Sequence, residues 1–360
     1  MNNQFRTSNS LGLINKNKIL NFTFNGQSFQ GYEGDTLASA LIANGVHLVG
    51  RSFKYHRPRG FLAAGVEEPN AMVQLHEGDR SEPNIMATEV ELVDGLVANS
   101  QNCWPSVKFD IGEINNLLNR FFPAGFYYKT FMWPKSFWYK IYEPIIRKAA
   151  GMGIAPLSPD PDRYEHNYEH CDVLVVGSGP SGLASALAAA KNGARVILAE
   201  DKAHFGGSLL NDDVTIGNMS GREWASDVIS QLKNLPNVIV KNRSQVFGYY
   251  DHNMTVMFER VSDHIENPSK YTPRQRLHYI RAGEVIVSTG SIERPISFGN
   301  NDRPGILLAS AAREYMKVYE TLVGKKPIIF TNNDSAYSTA LEFLKNNITP
   351  IILDTRDSSE

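Results

Sequence analysis

The sequence predicts an α/β chain with a smaller α+β domain at its N-terminus, and three stretches predict it. From Cys171, CDVLVVGSGPSGLASALAAAKNGARVILAED runs through an apolar segment, a glycine turn, an alanine-rich helix, a second apolar segment and an acid, the order of a βαβ unit in a parallel sheet. From Lys18, KILNFTFNGQSFQGY alternates apolar and polar residues and leads into helix-spaced text. From Pro327, PIIFT, a helical stretch over Ser335 to Lys345 and PIILD repeat the strand, helix, strand order in shorter form.

Size and composition narrow the function classes. With 360 residues and 40.1 kDa the chain is long enough for two or three domains, each with its own core. A hydrophobic fraction of 42% with 21% charged residues is the balance of a folded globular protein. The net charge of -2 gives no electrostatic reason to expect nucleic acid or an anionic membrane as a partner. Only Cys103 and Cys171 are cysteines, too few for a disulfide framework, which points to a reduced, cytoplasmic setting. The first twenty residues are polar and lack a signal-peptide core. The most apolar region, from Phe121, is broken by Pro123, Lys129, Pro134, Lys135 and Lys140, so no membrane crossing is expected.

At the N-terminus, Asn25-Gly26 suits the positive φ angles of a two-residue hairpin turn, so the Lys18 to Tyr32 text reads as two paired strands. Asp35 stands as N-cap before TLASALIANG, and Gly45 stops that helix. A hairpin followed by a short helix opens a β-grasp domain. GDTLASALIANGV at Gly34 to Val46 and RSFKYHRPRG at Arg51 to Gly60 resemble the ferredoxin-like domain that begins sarcosine oxidase alpha subunits. A plant-type ferredoxin carries its cluster cysteines in the loop after that helix. Here the loop is HRPRGFLAAGVEEPNAMV, without cysteine, so no iron–sulfur cluster is expected. Arg51, Lys54, His56, Arg57 and Arg59 form either an anion site for a nucleotide phosphate or a solvated basic loop.

Residues 101 to 166 are dense in Trp, Tyr, Phe and Pro without a sustained period and read as a connector. Its aromatics either dock another subunit or cover the chain's own domains. His166, His170 and Cys171 have metal-ligand spacing, but a fourth ligand is missing and Cys171 opens a strand, so a structural role is favoured and no metal is expected.

The βαβ run from Cys171 carries the strongest chemistry. Gly177 permits the tight turn out of the strand, Gly179 lets backbone approach a pyrophosphate, and Gly182 lets the helix pack close to the strand. Pro180 and Ser181 open that helix, whose N-terminus then faces phosphate oxygens. Glu200 ends the second strand eighteen positions after Gly182, where a carboxylate accepts hydrogen bonds from both ribose hydroxyls and disfavours a 2′-phosphate. This is a Rossmann-type FAD/NAD(P)-binding arrangement. Gly206 and Gly207 bring backbone toward the ligand, and RAGEVIVSTGSIERP from Arg281 returns the chain to the nucleotide at Thr289 and Gly290. The motif does not separate NAD from FAD, since both offer the same adenosine diphosphate half. The segment from Pro327 starts a second nucleotide-binding-like βαβ, but its turn TNNDSA lacks the glycine for pyrophosphate approach.

The resemblance to sarcosine oxidase alpha subunits extends over essentially the whole chain. It implies NAD in this site, with contacts on Ser181, Glu200, Asp201, Lys202 and Ser208, and Val246 as a looser candidate. It also implies FMN at an interface with a beta subunit, and beta, gamma and delta partners in a complex that demethylates sarcosine oxidatively to glycine and hydrogen peroxide and passes the carbon to tetrahydrofolate. No catalytic set is found in this chain itself. The enzyme-class alternative is an FAD-binding subunit of a proline, hydroxyproline or opine dehydrogenase; the other alternative is a structural nucleotide-binding module. The expected domains are a ferredoxin-like β-grasp domain at 1–100, the connector at 101–170, the Rossmann-type domain at 171–325 and the start of a second βαβ at 326–360, whose abrupt end reads as a fragment.

Overall fold

A computed structural model describes the chain apart from residues 1–3, 9–10, 122–124, 126–130, 150, 152 and 358–360. The part of the aromatic connector at 122–124 and 126–130 lies outside the described residues. The chain divides into two units, one of Met1–Pro161 with Pro295–Glu360 and one of Asp162–Arg294.

In the first unit, β1 (Asn15–Phe24) and β2 (Gln27–Glu33) pair antiparallel, Phe24 opposite Gln27. The two residues between them, Asn25 and Gly26, have φ of 52° and 72°, the left-handed pair that matches a tight turn to the strand twist. Helix α1 (Leu37–Ala43) follows and is buried throughout. Its N-cap is Thr36, not Asp35: the Thr36 hydroxyl accepts from the Ser39 amide while Asp35 accepts from the Ser39 hydroxyl. Asp35 is drawn away from capping because Arg6 holds both of its oxygens. β3 (Met72–Leu75), β4 (Glu82–Met86) and β5 (Leu96–Ser100) complete a five-stranded sheet in the order β2-β1-β5-β3-β4, with β5 parallel to β1. Leu37, Leu41 and Phe22 are fully buried in it, each contributing about 1.5–3 kcal/mol.

The second unit holds a six-stranded sheet. Its strands are β6 (Tyr164–Val176), β7 (Val196–Ala199), β8 (Val238–Lys241), β9 (Ser244–Tyr250), β10 (Met254–Arg260) and β11 (Gln275–Val287), in the order β8-β7-β6-β11-β10-β9. The first four in that order run parallel, and β10 and β9 close the far edge antiparallel. Helices α2 (Pro180–Lys191) and α3 (Gly221–Lys233) bury Leu183, Ala186, Val228 and Leu232 against Val175, Val196 and Leu198. The opposite face packs Cys171, Leu174, Ile197, Met257 and Ile280.

Two boundaries differ from the sequence-based expectation. β6 starts at Tyr164 rather than near Cys171, because Tyr164 to His170 continue the ladder against Gln275 to Arg281. Its polar residues find partners there, Glu165 on Arg276 and Glu169 on His278. At the other end, residues 295–325 belong with the first unit and not with the nucleotide-type domain. Asp302 accepts from Arg57 and Arg59, the Leu308 amide donates to the Leu62 carbonyl, and the Leu322 amide donates to the Phe5 carbonyl. Helix α4 (Ala309–Lys317) sits in that segment, followed by β12 (Ile328–Thr331), α5 (Ser335–Lys345) and β13 (Ile351–Asp354), a parallel pair and its helix around buried Ile329, Ala340 and Phe343.

Candidate functional site

The glycine turn between β6 and α2 is built by close backbone packing. Gly177 has φ of 96°, and a Cβ there would lie 2.4 Å from the Ser288 carbonyl oxygen. A Cβ on Gly182 would lie 1.9 Å from the Gly177 carbonyl oxygen, so this position brings α2 against the turn. Gly179 differs from both: its φ of -66° is open to any residue, and a Cβ there would meet nothing within 4 Å. Neither packing nor backbone conformation demands glycine at 179, and open space lies above it. Pro180 supplies N1 of α2 and has no N–H to leave unpaired. The first intrahelical bond runs from the Leu183 amide to the Gly179 carbonyl, so the amides of Ser181 and Gly182 have no acceptor within the helix.

Around this turn the fold gathers three more segments. Glu200, at the end of β7, is buried, and its Oε2 accepts from the Ser178 amide at 2.9 Å and from the Ser178 hydroxyl at 2.5 Å. Its Oε1 accepts from the Lys202 amide at 3.1 Å. Burial, with Asp201 alongside, pushes the Glu200 carboxyl up to about 7 against the hydrogen bonds from Ser178. The Gly206 amide donates to the Ser178 hydroxyl at 3.1 Å, and a Cβ on Gly207 would stand 2.9 Å from the Gly179 Cα. The Ser288 amide donates to the Val176 carbonyl, which places exposed Thr289 and Gly290 beside Gly177.

The expected residues Gly177, Gly179, Pro180, Ser181, Gly182, Glu200, Gly207, Thr289 and Gly290 therefore converge. Asp201 and Lys202 follow Glu200 directly, with the Asp201 carbonyl accepting from Arg260 and the Arg243 amide donating to the Lys202 carbonyl. Ser208 is exposed in the turn after Gly207, where its carbonyl accepts from the amides of Asn211 and Asp212. Val246 packs against the core on β9. Three protein donors sit on the Glu200 carboxyl and the Asp201 side chain hydrogen-bonds with it, so a ribose hydroxyl would compete for its remaining lone pairs. Ser178 was not among the expected residues, yet it joins Glu200 to the Gly206 loop. A small hydroxyl between two turn glycines was the available signal.

The basic loop at 51–59 is not an anion site built from free cations. Buried Arg51 donates to the Val107 and His56 carbonyls and to Glu113, and Arg57 and Arg59 converge on Asp302. His56 Nδ1 lies 2.6 Å from Asp110. Of the residues with metal-ligand spacing, His166 stacks on Tyr279 at 5.9 Å, while Cys171 faces the core, where burial pushes its thiol up to about 11.

Comparison with known proteins finds relatives over nearly the whole chain. A "Sarcosine oxidase subunit alpha" of Rhizobium meliloti is 51% identical over 97% of this chain and 35% of its own length. That of Corynebacterium sp. strain U-96 is 34% identical over 96% of this chain and 31% of its own. The chain belongs to the sarcosine oxidase alpha-subunit family. It spans about a third of the length of the curated relatives it matches. Residues 172–235 match the FAD dependent oxidoreductase family, and the crystal structure of L-proline dehydrogenase from P. horikoshii shares the fold, with a TM-score of 0.64 at 18% identity over 98% of this chain and 56% of that one.

Residues 17–103 match the family described as a 2Fe-2S iron-sulfur cluster binding domain. This match corrects the expectation of no iron–sulfur cluster, which rests on the cysteine count alone. Within the matched residues the cysteine is Cys103, and among the described residues no three His, Cys, Asp or Glu side chains are grouped to hold a metal ion. These donors do not match a four-thiolate set, and no step is derived through a cluster. Among the described residues no helix is long and apolar enough to cross a membrane.

Proposed function

We propose that the Asp162–Arg294 unit binds the adenosine diphosphate half of a dinucleotide, NAD, as part of an alpha subunit in a sarcosine oxidase complex. The observation that carries this reading is Gly179, a glycine that neither backbone conformation nor packing requires, set below open space at the N-terminus of a twelve-residue helix. Pyrophosphate oxygens would accept from the Ser181 and Gly182 amides, where the helix dipole favours negative charge. A ribose hydroxyl would donate to Glu200, with Asp201, Lys202 and Ser208 around it and Thr289 and Gly290 bordering the turn. Bound there, the nucleotide would supply hydride-transfer chemistry. The chain's own residues would bind and orient it, and no catalytic role is assigned to them.

In the same reading the whole complex oxidises the N-methyl group of sarcosine, giving glycine and hydrogen peroxide and passing the carbon to tetrahydrofolate, in the cytoplasm with beta, gamma and delta chains. Supporting a docking role for the connector, Trp104, Trp133, Tyr139 and Leu157 are all exposed, so these residues do not cover the chain's own domains. A second reading places FAD in the site, and the match of residues 172–235 to an FAD-dependent family favours it. Denaturing the purified protein and identifying the released nucleotide separates the two. NAD supports the first reading, FAD the second, and a chain that releases neither and binds neither when titrated contradicts both.

A further inference from the structure

Away from the glycine turn, β6, β11 and β10 carry a charged cluster on the face that packs the core of Cys171, Met257 and Ile280. At its centre His278 on β11 is completely buried. Its Nδ1 lies 2.8 Å from Glu169 Oε1 on β6, and its Nε2 lies 2.7 Å from Glu259 Oε2 on β10. A neutral imidazole has one donor nitrogen and one acceptor nitrogen, so one of these contacts would set a lone pair against a carboxylate. Only the imidazolium donates to both.

Other charges surround the ring. Glu165 and Glu169 face the cluster from β6, Glu259 from β10, Arg276 from β11 and Lys241 from β8. Arg163 lies 3.8 Å from Glu165, so three cations already meet three carboxylates, and it is the two direct contacts of His278 that call for its charge. Burial pushes His278 down, but the bonds to Glu169 and Glu259 outweigh it and hold the ring above its ordinary range. Burial likewise pushes Glu259 up, but His278, Lys241 and Arg276 hold it down to about 2.

We propose that His278 is a charged brace across three strands, holding the register of β6 and β11, the two strands that deliver the glycine turn and the Thr289–Gly290 segment. The brace is independent of which nucleotide the site holds, or whether it holds one. Its linkage sign follows from a folded value raised above the unfolded one. The stabilisation is complete below the ordinary histidine value near about 6.5 and is lost as the pH rises through the folded value.

The test is nitrogen NMR of the full chain labelled at its nine histidines. As the pH rises, one ring should keep both nitrogens protonated beyond the ordinary histidine range, and its signal should disappear in His278→Gln. Glu169→Gln, the milder change, should shift that ring's titration to lower pH. In thermal unfolding, the melting-temperature gap between wild type and His278→Gln should narrow as the pH rises above the ordinary histidine value. Nine rings that all titrate within or below the ordinary histidine range would overturn the proposal even if His278→Gln did not fold. A set of protonated-ring signals that is identical in wild type and in folded His278→Gln would overturn it too.

Discussion

Replacing Gly179 by alanine separates a ligand-binding glycine from a structural one. The backbone at 179 already lies in a region open to any residue, and the added methyl would meet nothing within 4 Å. Folding should tolerate the change, and the less flexible unfolded chain should add about 0.4–1 kcal/mol of stability. If backbone approach to a pyrophosphate is the reason for glycine, the methyl occupies the ligand's space. Affinity should then fall at least about tenfold, which corresponds to about 1.4 kcal/mol. The assay pairs thermal unfolding with calorimetric titration of NAD and of FAD. Gly182→Ala is the contrasting variant, since its methyl would stand 1.9 Å from the Gly177 carbonyl oxygen and should destabilise the fold itself. Unchanged nucleotide affinity in a folded Gly179→Ala protein would refute the reasoning.

Other perturbations follow from the same contacts. Glu200 holds its proton in the folded state up to about pH 7. Folding therefore takes up a proton between the ordinary glutamate value and that pH, and this group's contribution falls by at most about 3 kcal/mol as the pH rises through the window; denaturant titrations should show that slope flattened in Glu200→Gln. Asp302→Ala removes the acceptor shared by Arg57 and Arg59 in a half-buried site, and chemical denaturation should register a loss of about 1.5–3 kcal/mol. Phe343→Ala empties the centre of the C-terminal cluster, where Phe343 is 2% exposed, and should cost about 3–5 kcal/mol in the same assay.

Much of the local architecture was legible because single residues carry it. Asn25 and Gly26 mark the hairpin, and the run from Gly177 to Glu200 yields turn, helix and strand within a residue or two of their observed limits, whereas the strand before the turn begins eight residues ahead of Asp172. What stayed hidden depended on partners distant in sequence. Tyr164 to His170 is too polar to read as a strand until Arg276 and His278 come alongside to pair with Glu165 and Glu169. Residues 295–325 hold no motif that reveals their place, which is set by Asp302 meeting Arg57 and Arg59 across some 245 positions of chain. Asp35 has the right chemistry for an N-cap, and only the presence of Arg6 explains why Thr36 takes that role. In the candidate site the glycines and Glu200 were readable by spacing. The amide donors of Ser178 and Lys202 to Glu200 were not, since amides leave no trace in side-chain identity; the Ser178 hydroxyl was the one legible partner.

The most direct measurement is a crystal structure of the chain soaked with NAD. The expected result has pyrophosphate oxygens within hydrogen-bond distance of the Ser181 and Gly182 amides, the phosphate lying over Gly179, and one ribose hydroxyl on Glu200. Nucleotide bound elsewhere, or a Glu200 carboxylate still engaged only by Ser178, Asp201 and Lys202 with the turn empty, would contradict the account.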